Sequence, residues 1–188
     1  MTRFRAVFTL VLLVASAAQA EDWTVYEESE FQPDEYYDGD SFQIKVKTGH
    51  TYIFRLYGVD TPETDERYPD RIREQAEYFG ISENRIRSWG EKATRFTERF
   101  LKRKDITVYT KKEKSGTKSS KNRYYAIIEV DGKRLDEALL EAGLARAYGM
   151  AAAYPRRLSE RTFRSRLERV EAKAKREEEG IWSDSETR

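Results

Sequence analysis

Cysteine is absent from the 188 residues, and histidine occurs once, at His50. Without thiols there is no disulfide framework, no thiolate nucleophile and no cysteine-based zinc site. With a single histidine, in the turn Thr48-Gly49-His50, a histidine-rich metal centre is excluded as well. Any resident cation would be held by oxygen, which favours calcium or magnesium over zinc. Charge of one sign is missing too: 35 Lys and Arg stand against 34 Asp and Glu, a formal net charge of +1. A polyanionic partner would therefore have to meet locally concentrated positive charge. The stretch from Lys102 to Arg123 supplies it, with Lys111, Lys112, Lys114, Lys118 and Lys121 against only Asp105 and Glu113.

Long apolar runs are absent except at the start. Arg3 and Arg5 precede Val7 to Val14, which is broken only by Thr9, and Ala18-Gln19-Ala20 offers a small-residue cleavage site before Glu21-Asp22. This reads as a secretory signal peptide over residues 1–20, cleaved after Ala20, rather than a membrane anchor, since a span needs about 20 apolar residues. The expectation is a secreted or periplasmic protein whose mature chain is a single domain, 21–188. Two basic residues go with the leader, leaving 33 basic residues against 34 acidic ones.

Alternation at Phe42, Ile44 and Val46 predicts a strand, Thr48-Gly49 a turn, and Tyr52 to Gly58 a second strand with Phe54 and Leu56 on one face and Arg55 and Tyr57 on the other. A first strand is expected near Trp23 to Tyr26. Residues 64–89 are rich in Arg and Glu, with a helix expected around Arg71 to Phe79. Gly90-Glu91-Lys92-Ala93 is expected to open a helix with Ala93, Phe96, Phe100 and Leu101 on its apolar side. Strands follow at Ile106 to Thr110 and Arg123 to Val130, separated by a polar Lys/Ser-rich loop. Leu135 to Glu141 reads as a helix stopped by Gly143, and Ser159 as the cap of a last helix. Periodicity alone supports α+β.

The chemistry concentrates around Phe54-Arg55-Leu56-Tyr57-Gly58-Val59-Asp60-Thr61-Pro62-Glu63, with the acidic turn Asp38-Gly39-Asp40-Ser41 upstream and Arg123 downstream. Carboxylates can hold a hard divalent cation, and two arginines can clamp a phosphoryl group as it gains charge. Each residue alone has a plainer reading. Asp40 and Asp60 could be turn formers, Arg55 a partner in a buried salt bridge, and Glu63 a solvated side chain.

In order along the chain, Asp38-Gly39-Asp40, the Arg55 strand with Val59-Asp60-Thr61-Pro62-Glu63, Arg123, Asp136-Glu137-Ala138-Leu139-Leu140, Gly143-Leu144-Ala145, Glu171-Ala172-Lys173-Ala174-Lys175 and Gly180-Ile181-Trp182-Ser183 resemble the staphylococcal nuclease (thermonuclease) family over about residues 36–183. Against that family, 64–89 looks like an insertion. The resemblance implies a five-stranded barrel of the oligonucleotide/oligosaccharide-binding (OB) type with about three helices. It also implies a monomeric, calcium-dependent enzyme that cleaves DNA and RNA internally and leaves 3′-phosphates. By the same resemblance Asp40, Asp60 and the Thr61 carbonyl are calcium ligands, Arg55 and Arg123 the catalytic arginines, and Glu63 the candidate general base. The run before Arg123 departs from the family: Lys121 stands where a phosphate-contacting tyrosine is expected. Lys121, Tyr124 and Tyr148 are the candidate substrate contacts. The alternative is a nuclease-like barrel, weak or inactive in catalysis, that binds nucleic acid or protein.

Overall fold

The computed structural model describes residues 23–33, 38–102, 105–115, 123–153 and 159–185. The expected signal peptide at 1–20 and Lys121 lie outside these residues. Among the described residues, eight strands, β1 (Thr24–Gln32), β2 (Ser41–Lys45), β3 (Thr51–Leu56), β4 (Val59–Asp60), β5 (Ile106–Thr110), β6 (Arg123–Val130), β7 (Lys133–Arg134) and β8 (Arg146–Ala147), are joined by four α-helices, α1 (Pro69–Phe79), α2 (Glu83–Leu101), α3 (Leu135–Glu141) and α4 (Glu160–Arg176), and a 3-10 turn, Gly180–Asp184.

Five strands close on themselves. β1 pairs antiparallel with both β2 and β5, β2 with β3, and β5 with β6, while β3 and β6 pair in parallel and complete the ring. β1 serves both halves because it is bulged between Tyr26 and Ser29, where Glu28 takes a φ of 49°; a bulge bends a strand and sharpens its twist. This closed, mostly antiparallel ring is the α+β barrel expected. Its interior is filled by alternate residues, among them Phe42, Ile44, Phe54, Leu56, Val108, Ala126 and Ile128.

Among the described residues there are four α-helices, one more than the three or so the resemblance implies. α1 is the helix expected around Arg71 to Phe79, inside the segment read as an insertion; Pro69 sits at its start and Gly80 ends it in the left-handed conformation. α2 also begins earlier than expected, at Glu83, which leaves Gly90 in its interior. A mid-helix glycine costs about 1 kcal/mol against alanine, and packing explains it here. A Cβ on Gly90 would lie 2.5 Å from the Pro62 carbonyl oxygen and 2.8 Å from the Thr64 methyl. Glycine thus lets α2 press directly on the Asp60–Thr64 turn. Tyr57, expected on the strand face opposite Phe54 and Leu56, is fully buried, stacked on Tyr125 at 5.0 Å and edge-on to Trp23 at 6.0 Å. Ser159 caps α4 as expected, accepting from the Thr162 amide at 3.2 Å.

Candidate active site

Three backbone registers build the site. Ser41 is paired with Arg55, and the Leu56 amide donates to the Asp40 carbonyl at 2.9 Å, so Asp40 lies beside Arg55. The parallel pairing puts Ile53 opposite Arg123 and Arg55 opposite Tyr125, so the arginines of two neighbouring strands share the outer face. Gly58, at φ 71°, turns the chain from β3 into β4, and β4 pairs Asp60 with Arg146 of β8. A Cβ at Gly58 would come within 2.5 Å of Leu167, so the turn also needs glycine for space.

Asp60 is the hub. Its side chain is 1% exposed, and both oxygens are engaged. Oδ1 accepts from Arg55 Nη2 at 2.8 Å and from Arg71 Nη2. Oδ2 accepts from Gln75 Nε2 at 2.9 Å and Arg146 Nε at 3.0 Å. Burial pushes this carboxyl up, but the guanidiniums of Arg71, Arg55 and Arg146 outweigh it and hold Asp60 below the usual carboxylate range. Arg146, itself 1% exposed, is balanced by Glu74, which takes its Nη1 at 2.5 Å and Nη2 at 2.8 Å. An unpaired charge at that depth would be costly, so the carboxylates are as necessary to the arginine as it is to them.

Arg55 also pairs with Asp40, Nη1 to Oδ1 at 2.9 Å, and Asp40 Oδ2 accepts the Thr61 amide at 3.1 Å. Burial works against the Arg55 charge, yet Asp40, Asp60 and Asp38 together raise its pKa above the ordinary value. It stays a cation at any pH of interest. Asp38 Oδ1 closes the acidic turn by accepting from the Asp40 and Ser41 amides at 3.2 and 2.8 Å; burial and the neighbouring Asp40 push its carboxyl well up.

Glu63 is held on both sides. Oε1 accepts from the Thr64 and Asp65 amides at 2.9 and 3.0 Å, and Oε2 lies 2.9 Å from Arg71 Nε, an ion pair without an aligned hydrogen bond. Gln75, fully buried in α1, fastens the whole turn: Oε1 accepts the Glu63 amide at 2.7 Å, and Nε2 donates to the Thr61 carbonyl at 2.9 Å as well as to Asp60. Arg55, Asp60, Arg71, Arg123, Tyr125 and Tyr148 line one open cleft of about 240 Å³. Arg123 is steadied there by its Nε, which donates to the Ser115 carbonyl at 3.1 Å.

The family described as staphylococcal nuclease homologue matches residues 53–184. The chain belongs to the staphylococcal nuclease family. It is 30% identical over 156 residues to an uncharacterized protein of Methanocaldococcus jannaschii, covering 78% of this chain and 68% of that protein. It is 28% identical over 149 residues to the thermonuclease of Staphylococcus hyicus, covering 78% of this chain and 72% of that one. Asp40 precedes the matched stretch; its place beside Arg55 rests on the strand register.

For a staphylococcal nuclease fold, the expected residues are placed as follows. Asp40, Asp60, Thr61, Arg55 and Glu63 converge, and Arg123 joins Arg55 at the cleft. Tyr148 is at the rim, half-exposed, with the Arg146 guanidinium 4.1 Å from its ring centroid. Tyr124 is not at the cleft: β6 alternation turns it away, and its ring meets Tyr52 edge-on at 6.0 Å, while Tyr125 takes the cleft position. Sequence reasoning missed Arg71, Gln75 and Arg146. The first two are four residues apart in α1 and so share a face, but nothing in a charged segment marked that face as buried.

The family's calcium can be tested against these donors. The hard oxygens of Asp40, Asp60 and the Thr61 carbonyl suit such an ion chemically. Their remaining capacity does not. Each Asp60 oxygen already accepts at least two hydrogen bonds, and the Thr61 carbonyl accepts from Gln75. Three guanidiniums would face the ion across one carboxylate. Among the described residues, no group of three or more His, Cys, Asp or Glu side chains is arranged to hold a metal ion. The site as folded does not fit a resident calcium at Asp60.

Proposed function

We propose that this protein is an exported phosphodiesterase that hydrolyses DNA and RNA internally and leaves the phosphate on the 3′ side. The observation that carries the proposal is the pair Arg55 and Arg123, presented by adjacent parallel strands into one cleft with Asp60 and with Arg71, which is paired to Glu63. Planar guanidinium forks match phosphate oxygens, and donors fixed before the reaction stabilise the charge that builds on them. Asp40 and Asp60 keep Arg55 charged and aimed. Water attacks phosphorus, the bond to the 5′ oxygen breaks, and Glu63 accepts the proton of the water. The half-exposed ring of Tyr148 offers a surface on which a base can stack. The leader over residues 1–20 supports export, to the periplasm or the medium. Calcium dependence, which the resemblance implies, is left out of this proposal because the donors at Asp60 are already taken.

One observation favours a second reading. A carboxylate so fully neutralised is also what a barrel that binds nucleic acid without cleaving it would tolerate. Digestion of plasmid and of RNA by the full chain, with analysis of product ends, separates the two. Cleavage to 3′-phosphates that falls about 100-fold or more in Arg123→Ala and in Arg55→Ala is expected. Tight binding with no cleavage, or undiminished cleavage by Arg123→Ala, would favour the binding module.

A further inference from the structure

Arg71 stands where the family resemblance would put a divalent cation. It comes from α1, the helix in the segment that is longer than expected between the family's blocks. Its guanidinium bridges Asp60 Oδ1 and Glu63 Oε2, a proposed metal ligand and the proposed base. Gln75, one turn further along the same helix, completes the substitution, with its amide N–H on Asp60 and on the Thr61 carbonyl. Each contact has the polarity a cation would have: donors point at the oxygens a metal would ligate. The Arg71 side chain is 37% exposed and lines the cleft with Arg55 and Arg123, so it faces the space a phosphate would enter.

We propose that Arg71, together with Gln75, takes the place of the calcium ion, and that the site operates on three guanidiniums with no resident divalent cation. The inference rests on the phosphodiesterase reading for its catalytic half and is independent of it for its binding half. Electrostatics explain the exclusion. A dication placed among Asp40, Asp60 and Thr61 would sit beside Arg55, Arg71 and Arg146, and like charges at such range repel strongly in a site shielded from water. Arg71 would then do two things a metal does, neutralising Asp60 and presenting positive charge to a non-bridging phosphate oxygen. A bidentate fork is well suited to the second.

Calcium titration by calorimetry on the full chain tests the binding half whether or not the protein cleaves anything. The wild type is expected to take up no calcium that depends on Asp60, and Arg71→Lys, which retains the charge, to behave the same way. Arg71→Met, which keeps the stem of a half-exposed residue, is expected to gain one-to-one calcium uptake that is lost when Asp60→Asn is added. Arg71→Met/Gln75→Met, checked for its fold by circular dichroism, should bind more tightly still. Calcium uptake by the wild type that Asp60→Asn abolishes would overturn the proposal. So would a folded double variant as silent as the wild type, because Arg71 and Gln75 would then not be what keeps the ion out. In the cleavage arm, turnover by the wild type should survive chelator and fall in Arg71→Met; cleavage that requires added calcium overturns the proposal. Absence of cleavage under every condition sinks the phosphodiesterase reading alone and leaves the titration to decide the role of Arg71.

Discussion

Replacing Asp60 with asparagine should destabilise the fold as well as the site. The side chain is buried and collects donors from Arg55, Arg71, Gln75 and Arg146. Asparagine keeps one acceptor and puts an NH₂ where the other was, so one pair of donors faces a donor. Removing one member of a buried ion pair costs about 3–5 kcal/mol. Here each arginine retains a second carboxylate, Arg55 on Asp40, Arg71 on Glu63 and Arg146 on Glu74, so the lower end, about 3 kcal/mol, is expected. For a chain of this size that is a fall in Tm of about 6–12 °C. The pH dependence follows from the depressed carboxyl. Asp60 contributes its stability above the unfolded carboxylate pKa of about 3.9 and loses it as pH falls through the lower folded value. The gap between wild type and Asp60→Asn should therefore be full at pH 5–7 and close below about pH 4. Urea unfolding at several pH values measures both. A loss under about 1 kcal/mol at pH 7, or a gap that widens in acid, would refute the reasoning.

Two further substitutions probe the surroundings. Gly90→Ala gains about 1 kcal/mol of helix propensity but drives a methyl into the Pro62 carbonyl, and should be net destabilising by about 1–3 kcal/mol; urea unfolding reads it, and a more stable variant would mean that α2 can move off the turn. Burial pushes the Glu171 carboxyl up even though it accepts from Tyr78 and the Ala147 amide; its ionisation therefore weighs against the folded state as pH rises through its raised folded pKa. Glu171→Gln should be the more stable protein at pH 7, with the advantage gone below about pH 4, as thermal melts across pH would report.

The barrel was legible because its strands carry their own punctuation. Phe42 and Ile44 alternate with polar residues, Gly58 breaks β3, and Ile106–Thr110 and Arg123–Val130 begin and end where β-branched and aromatic runs do. The convergence of Asp40, Asp60, Thr61, Arg55 and Glu63 was legible through resemblance, whose strongest block is Val59 to Glu63. Burial of charge was not. Arg146 follows Leu144 and Ala145 as an ordinary polar residue would, and becomes fully buried only because β8 pairs it with Asp60. Gly90 was misread as a helix start since glycine inside a helix is disfavoured locally; the tertiary approach of Pro62 that requires it is invisible in sequence. Tyr124 and Tyr125 were indistinguishable until the register with β3 decided which of them faces the cleft.

The burial of charge traces to helix α1, in the segment 64–89. A turn carrying Asp60, Thr61 and Glu63 presents carbonyl and carboxylate oxygens that repel one another, so something must hold them. In this protein a buried amide does so from both ends. Gln75 accepts the Glu63 N–H and donates to the Thr61 carbonyl and to Asp60, which orders the turn from inside. Buried polar groups are stable only when satisfied, and these three bonds satisfy Gln75. The same helix delivers Glu74 to neutralise Arg146 and Arg71 to neutralise Asp60 and Glu63. Three residues of one helix, Arg71, Glu74 and Gln75, thus complete a charge network that neither the barrel strands nor the acidic turn can close alone. A helix that merely decorated the surface would direct its polar side chains to water; α1 directs Arg71, Glu74 and Gln75 onto Asp60, Glu63, Thr61 and Arg146.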